Sequence, residues 1–279
     1  MTTRTSPPGT LLTAADAPVR VERDGAVVHL VLARPDTGNG FDLDFVTALR
    51  AAVEQIVAWT GEPDRTGVGA VLLRAEGRNF SVGGDLRAFV AQESDIGGYV
   101  RAVAEAAHAA VFGLAGLSVP VVAAIQGAVA GGGVGLSLGA DLVVAARSAK
   151  LRLAYTALGL TPDCGASWFL PRLLGERRAL DLVFTNRVLG AAEAEQWGLF
   201  NRVVDDEDLT SVAGALASAL AGVHVRALGR AKLLVRAGQL DELRDHLDCE
   251  ADFIAEAASR TEVGAAMRRF LEGSRRRRD

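Results

Sequence analysis

From Val19 to Val204 the chain keeps switching hydrophobic period, and that alternation constrains the fold more than any other feature. Val19-Arg-Val-Glu-Arg and Ala26-Val-Val-His-Leu-Val-Leu32 flank a turn at Asp24-Gly25, the two-run shape of a β-hairpin. Phe41 to Trp59 then repeats apolar residues at Leu43, Phe45, Val46, Leu49, Val53 and Val57, close to helical spacing, and Gly67 to Leu73 reads as a short buried strand. Strand, helix, strand implies a right-handed crossover. The order repeats through a glycine turn at Gly83-Gly84, a helix from Ile96 to Leu114, a strand from Val119 to Ile125, a helix from Gly133 to Gly139 and a strand from Asp141 to Ala145. Beyond Leu170 the period becomes helical over Arg172 to Asn186, Ala191 to Trp197 and Asp208 to Ser274, interrupted by the short apolar Leu199 to Val204. The fold class is α/β: residues 1–18 are a disordered tail, 19–204 a strand/helix core, and 205–279 a helical C-terminal region.

Composition narrows the function. The 279 residues are 49% hydrophobic, enough for a substantial core, and a net charge of −4 offers no basic field for nucleic acid. Cys164 and Cys249 give neither zinc spacing nor a disulfide framework, no metal ligand set is visible, and a reducing cytosol fits both. Met1 to Pro18 lacks an apolar h-region, and no run reaches the roughly 18 to 20 apolar residues of a membrane span, so the expected location is cytoplasmic. The terminal Arg275-Arg-Arg-Arg-Asp279 is either a solvated tail or a phosphate contact.

Two glycine turns sit where a strand hands over to a helix: Asn79-Phe-Ser-Val-Gly-Gly-Asp-Leu86 and Gly127-Ala-Val-Ala-Gly-Gly-Gly-Val-Gly135. Each is either a plain tight turn or a place where free backbone N–H groups meet a developing oxyanion or a phosphate. The second has neither the G-x-G-x-x-G spacing of a dinucleotide fold nor the Gly-Lys-Ser/Thr of a P-loop, which removes support for hydride transfer and nucleotide hydrolysis.

These turns belong to a longer ordered set: Arg34-Pro35-Asp36, Asn79 to Leu86, Pro120 to Gly127 running into Ala130-Gly-Gly-Gly133, Ala140-Asp141-Leu142, Gly159-Leu160-Thr161-Pro162-Asp163, and Leu170-Pro171-Arg172 to Gly175. Together they resemble the enoyl-CoA hydratase/isomerase (crotonase) family from about Val19 to Val204. The resemblance implies a spiral of strand-strand-helix repeats with a helical C-terminal trimerisation region, and hence a homotrimer or dimer of trimers. It implies an acyl-CoA thioester as substrate, with CoA entering as part of that substrate and no separate cofactor. By motif position, the backbone N–H groups of Gly84 and Gly132 would form the oxyanion hole that holds the thioester oxygen and acidifies the α-carbon.

The acid/base residues depart from the hydratase pattern. At the places of the two hydratase glutamates this chain has Gly135 and, by alignment, Tyr155. Neither supplies a carboxylate to activate water. The resemblance is instead to the single-carboxylate isomerases, which carry Asp or Glu in a Gly-Leu-x-Pro-Asp/Glu-x-Gly segment, and Asp163 stands there. Asp163 is then the base that moves a proton from C2 to C4 through a dienolate, or the N-cap of the following helix, or both. Hydratase activity and non-catalytic acyl-CoA binding are the alternatives. Tyr155 either lines the acyl pocket or is a core aromatic, and the same choice holds for Trp168. Val82, in the first turn, is a further substrate-binding candidate, and Arg34, Arg78 and Lys232 are candidates for holding CoA. His29, His108, His224 and His246 lie outside every matched motif, which argues against a histidine base.

Overall fold

In the computed structural model, which describes residues 10–11, 13–61 and 67–275, the hairpin opens a seven-stranded sheet. Strands β2 (Val19–Asp24) and β3 (Val27–Leu32) pair antiparallel, and β1 (Thr10–Leu11) adds to the outer edge of β2, Thr10 opposite Arg23. The tail expected over residues 1–18 is therefore corrected at Thr10–Leu11. The Val21 amide also donates to Thr13 Oγ1; residues 1–9 and 12 lie outside the described ones.

The next strands of this sheet, β4 (Ala70–Ala75), β5 (Val121–Ile125), β7 (Leu142–Ala146) and β10 (Arg202–Val204), continue parallel from β3. Their near-continuous apolar sequences follow from burial on both faces. Val71 and Leu73 of β4, and Val121, Ala123 and Ile125 of β5, point into the main core. The alternate residues Ala70, Leu72, Val122 and Ala124 meet helix α8 (Leu209–Ala221) on the other face. Residues 205–275 are helical as read, but α8 closes this sheet face, so the break at 204 divides the sequence rather than the core.

Between these strands the chain crosses to a smaller sheet, β6 (Ala128–Ala130), β8 (Lys150–Arg152) and β9 (Leu189–Gly190). β5 and β7 each hand over to a short strand of the small sheet, β6 and β8, before a helix, which is the strand-strand-helix repeat. At two or three residues, such strands carry too little periodicity to be read in advance.

Asp side chains start the helices of the main core. Asp42 caps α1 (Leu43–Thr60) through the Phe45 amide, Asp85 caps α2 (Leu86–Val90), and Asp95 caps α3 (Ile96–Ala115) through the Gly98 amide. Helix α4 (Gly132–Leu138) starts at the second glycine turn. The helix expected over Arg172 to Asn186 is two, α5 (Ala166–Leu174) and α6 (Glu176–Thr185), separated by Gly175 at φ 78°. After α7 (Ala191–Gln196) and α8 come α9 (Val225–Val235), α10 (Gln239–Ala258) and α11 (Thr261–Arg275). Helix α10 lies along α3, where Ala251, Ile254 and Ala258 join the main core. Among the described residues, no single helix is long and apolar enough to cross a membrane.

Candidate active site

The two glycine turns lie side by side because the strands leading into them are stitched together. The Ser81 amide donates to Ala128 O (3.1 Å), the Ala130 amide donates to Ser81 O (2.9 Å), and Ser81 Oγ donates to Asn39 O (2.8 Å). A Cβ on Gly83 would sit 2.7 Å from the Ala130 carbonyl oxygen, and φ is 80° there, so only glycine fits. Gly132 is the first residue of α4, and its N–H has no intrahelical partner. Among the described backbone bonds, neither the Gly84 nor the Gly132 amide donates to the protein. Both glycines are walled on the side-chain side: a Cβ would lie 2.7 Å from the Phe89 ring at Gly84, and 2.9 Å from both the Phe41 ring and Cys164 Sγ at Gly132.

Asp163 and Tyr155 are brought together over the second turn. The Tyr155 hydroxyl donates to Asp163 Oδ1 at 2.5 Å, and the Tyr155 ring lies about 3.9 Å from where a Gly131 Cβ would stand. Tyr155 is buried, and burial together with the Asp163 charge pushes its phenol well above the ordinary range, so it is a neutral donor. Burial also raises the Asp163 carboxyl above the usual carboxylate range. His108 and the Tyr155 hydroxyl oppose that rise, the Glu250 charge adds to it, and the Cys164 thiol opposes it. The capping alternative for Asp163 is not realised, because Gly165 is the N-cap of α5 and the Asp163 side chain makes no described bond to the helix amides.

The missing first glutamate has a steric cause. A Cβ on Gly135 would stand 2.0 Å from the Cys164 carbonyl oxygen and 2.6 Å from its carbon. The Asp163–Gly165 segment occupies the space that a side chain on Gly135 needs. Cys164 is held there at φ 55°, a left-handed conformation that costs a non-glycine residue about 1 kcal/mol or more. Its amide donates to His108 Nε2 at 2.9 Å, so Nε2 is the ring nitrogen that accepts. Burial pushes the Cys164 thiol well up, with Asp163 and Glu250 adding, so the sulfur is a packing group rather than a thiolate. His108, Asp163 and Cys164 place ligand-type atoms within 4.8 Å of one another. A metal ion bound through His108 Nε2 would have to displace the Cys164 amide that already donates there.

Behind the segment stands a layer that sequence reasoning missed. Glu250 on α10 accepts from the Gly165 amide (2.7 Å), the Ser167 amide (3.2 Å) and Ser167 Oγ (2.5 Å), and His246 Nε2 lies 2.7 Å from the same hydroxyl. His108 and His246, outside every matched motif, support the Asp163 segment through the Cys164 amide and the Ser167 hydroxyl. A legible signal existed: His246 and Glu250 are one turn apart on one helix face, and His108 interrupts the alanine-rich buried face of α3.

Other candidates fall elsewhere. Trp168 is buried against Ala115, Leu243 and Leu247 with the Arg172 guanidinium 3.1 Å over its ring; the acyl-contact reading is corrected to core packing. Lys232 is also corrected. Its ammonium is bonded to Asp141 (2.8 Å), Leu114 O and Val119 O, and Arg236 pairs with the other Asp141 oxygen. Burial lowers the Lys232 pKa despite the Asp141 charge. Trp168, Arg172, Lys232 and Asp141 line a cavity of about 560 Å³ that none of the glycine-turn residues reaches. Arg34 is committed to Asp42, Thr37 and Gly40 O and lies over the Phe45 ring, so it shapes the Pro35–Asp42 loop. Arg78 is exposed with no side-chain partner among the described residues, and Val82 is 40% exposed in the first turn.

The sequence profile described as enoyl-CoA hydratase/isomerase matches residues 22–277. A 1,2-epoxyphenylacetyl-CoA isomerase of Escherichia coli (strain K12) is 37% identical, covering 81% of this chain and 85% of its own length. A 4-chlorobenzoyl coenzyme A dehalogenase of Arthrobacter sp is 34% identical, covering 82% and 81%. The crystal structure of an enoyl-CoA hydratase from Mycobacterium avium subsp. paratuberculosis K-10 superposes with a TM-score of 0.80 at 27% identity, covering 91% of this chain and 99% of that one. With the adjoining glycine turns and the carboxylate over them, this match assigns the chain to the enoyl-CoA hydratase/isomerase family.

Proposed function

We propose that the chain is an enoyl-CoA isomerase: the Gly84 and Gly132 amides hold the thioester oxygen, and Asp163 moves a proton between C2 and C4 of the dienolate. The observation that carries the reading is Asp163 itself, a partly accessible carboxylate with raised proton affinity, fixed by Tyr155 beside two glycine turns with undonated amides. Two preorganised donors of this kind are worth about 3 to 4 kcal/mol each in the transition state, and a positioned base about 10²- to 10⁴-fold. Tyr155 occupies Oδ1, which leaves Oδ2 as the oxygen that takes and returns the proton. Hydration by the two-glutamate route has no support, since Gly135 is barred from carrying a side chain. Of Arg34, Arg78 and Lys232, exposed Arg78 is the one left to meet a CoA phosphate, and the terminal arginines 276–278 lie outside the described residues. The apolar side chains Leu173, Leu180 and Phe184 on α5 and α6, 38% to 72% exposed, fit burial in a homotrimer or dimer of trimers.

The test is incubation with 2-enoyl-CoA and 3-enoyl-CoA thioesters in heavy water, with products identified by mass spectrometry. Interconversion with deuterium entering the acyl chain supports the isomerase, and a gain of one water without positional exchange contradicts it. A second reading, favoured by the dehalogenase relative, makes Asp163 a nucleophile toward an aromatic thioester. Chloride release from 4-chlorobenzoyl-CoA without α-proton exchange would select that reading.

A further inference from the structure

We propose that Glu250, on α10 in the helical C-terminal region, is a positioning residue for Asp163, which makes the C-terminal helices part of the active site. The inference rests on the reading of Asp163 as the base. The Glu250 carboxylate is 4% exposed, and all of its described hydrogen-bond donors belong to the start of α5: the amides of Gly165 and Ser167 and the Ser167 hydroxyl. A helix start leaves its first N–H groups unsatisfied and carries partial positive charge. Here no local side chain caps it, and the cap comes from a residue 85 positions away.

What the cap fixes is the turn that carries the base. Cys164 and Gly165 are consecutive left-handed residues at φ 55° and 78°, and Asp163 immediately precedes them. Two amides hold this pair in place, Cys164 to His108 and Gly165 to Glu250. Loss of the carboxylate orphans the Gly165 and Ser167 amides and frees the turn to relax, which moves Asp163 relative to the glycine turns.

Glu250 also acts through its charge. The groups facing it are His108 from α3 (Nε2 at 3.9 Å), His246 on its own helix (Nε2 at 3.6 Å), and Asp163, Cys164 and Tyr155 from the β8–α5 connection. Because His108 Nε2 accepts from the Cys164 amide, it presents no proton to Glu250. The negative charge behind the turn therefore strengthens Asp163 as a base.

The experiment compares Glu250→Gln, Glu250→Asp and Asp163→Asn with the wild type in the full-length protein, with kcat and KM for a 3-enoyl-CoA thioester followed against pH. Glu250→Gln is expected to lower kcat by about tenfold or more with KM unchanged within about twofold. The acid limb should move to lower pH, because a charge that raised Asp163 has gone. Glu250→Asp, which keeps the charge but shortens the reach, should lose turnover with the limb in place. Wild-type kcat and limb in Glu250→Gln beside an inactive Asp163→Asn would overturn the proposal and leave the base assignment standing, even if thermal stability fell. Full turnover in Asp163→Asn would overturn both. Should Glu250→Gln fail to fold, Glu250→Asp decides: a fall in kcat of about tenfold or more with KM and the acid limb in place supports the clamp, and wild-type kcat overturns it.

Discussion

In the proposed mechanism, Asp163 is a side chain set for chemistry at a cost to the fold. Its folded-state pKa is raised, so its contribution to stability is fullest below the unfolded value near 3.9 and falls as pH rises through the folded value. Asp163→Asn, which removes the buried charge, should therefore raise Tm at pH 7.5 by about 2 °C and lose that advantage toward pH 4, as calorimetry across pH would show. The same variant should lower isomerisation about 10²- to 10⁴-fold. Gly135 makes the opposite point. Gly135→Glu restores the hydratase-type residue on paper, but its Cβ meets the Cys164 backbone at 2.0 Å. It should destabilise by about 3 kcal/mol or more in denaturant unfolding without conferring hydration.

At the scale of elements, each end of the Lys232–Asp141–Arg236 cluster ties α9 to the chain around β5 and β7. Truncating one partner of a buried pair leaves the other uncompensated. Lys232→Ala should therefore cost about 3 to 5 kcal/mol, with KM for the thioester unchanged; a raised KM at full stability would return Lys232 to the CoA site. The hairpin, the long helices α1 and α3, the parallel strands and both glycine turns were legible because each rests on local period or turn chemistry. The small sheet was not, since β9 is two residues long, nor was the break at Gly175. Lys232 and Trp168 were misplaced for a related reason: a lysine on a helix reads as a free cation until the helix packs on an aspartate far away in sequence. Asp163, Gly84 and Gly132 could be named as candidates from motif order, whereas Glu250 could not, because its contacts depend on α10 returning 85 residues later to the start of α5.

Over the whole molecule, the spiral brings two sheet-to-helix turns together at one point and then uses the C-terminal helices twice, α8 to close the main sheet and α10 to hold the start of α5 next to Asp163. Light scattering should give a mass of three or six chains, and an Asp substitution at Phe184, 72% exposed on α6, should shift it toward the single chain. The account turns on a single carboxylate serving an enolate held by backbone amides. Its most direct test is deuterium wash-in at C2 of a 3-enoyl-CoA thioester in heavy water, followed by NMR for wild type and Asp163→Asn under thioester saturation. The account predicts exchange in the wild type and its loss in the variant with binding retained; equal exchange in both would contradict it.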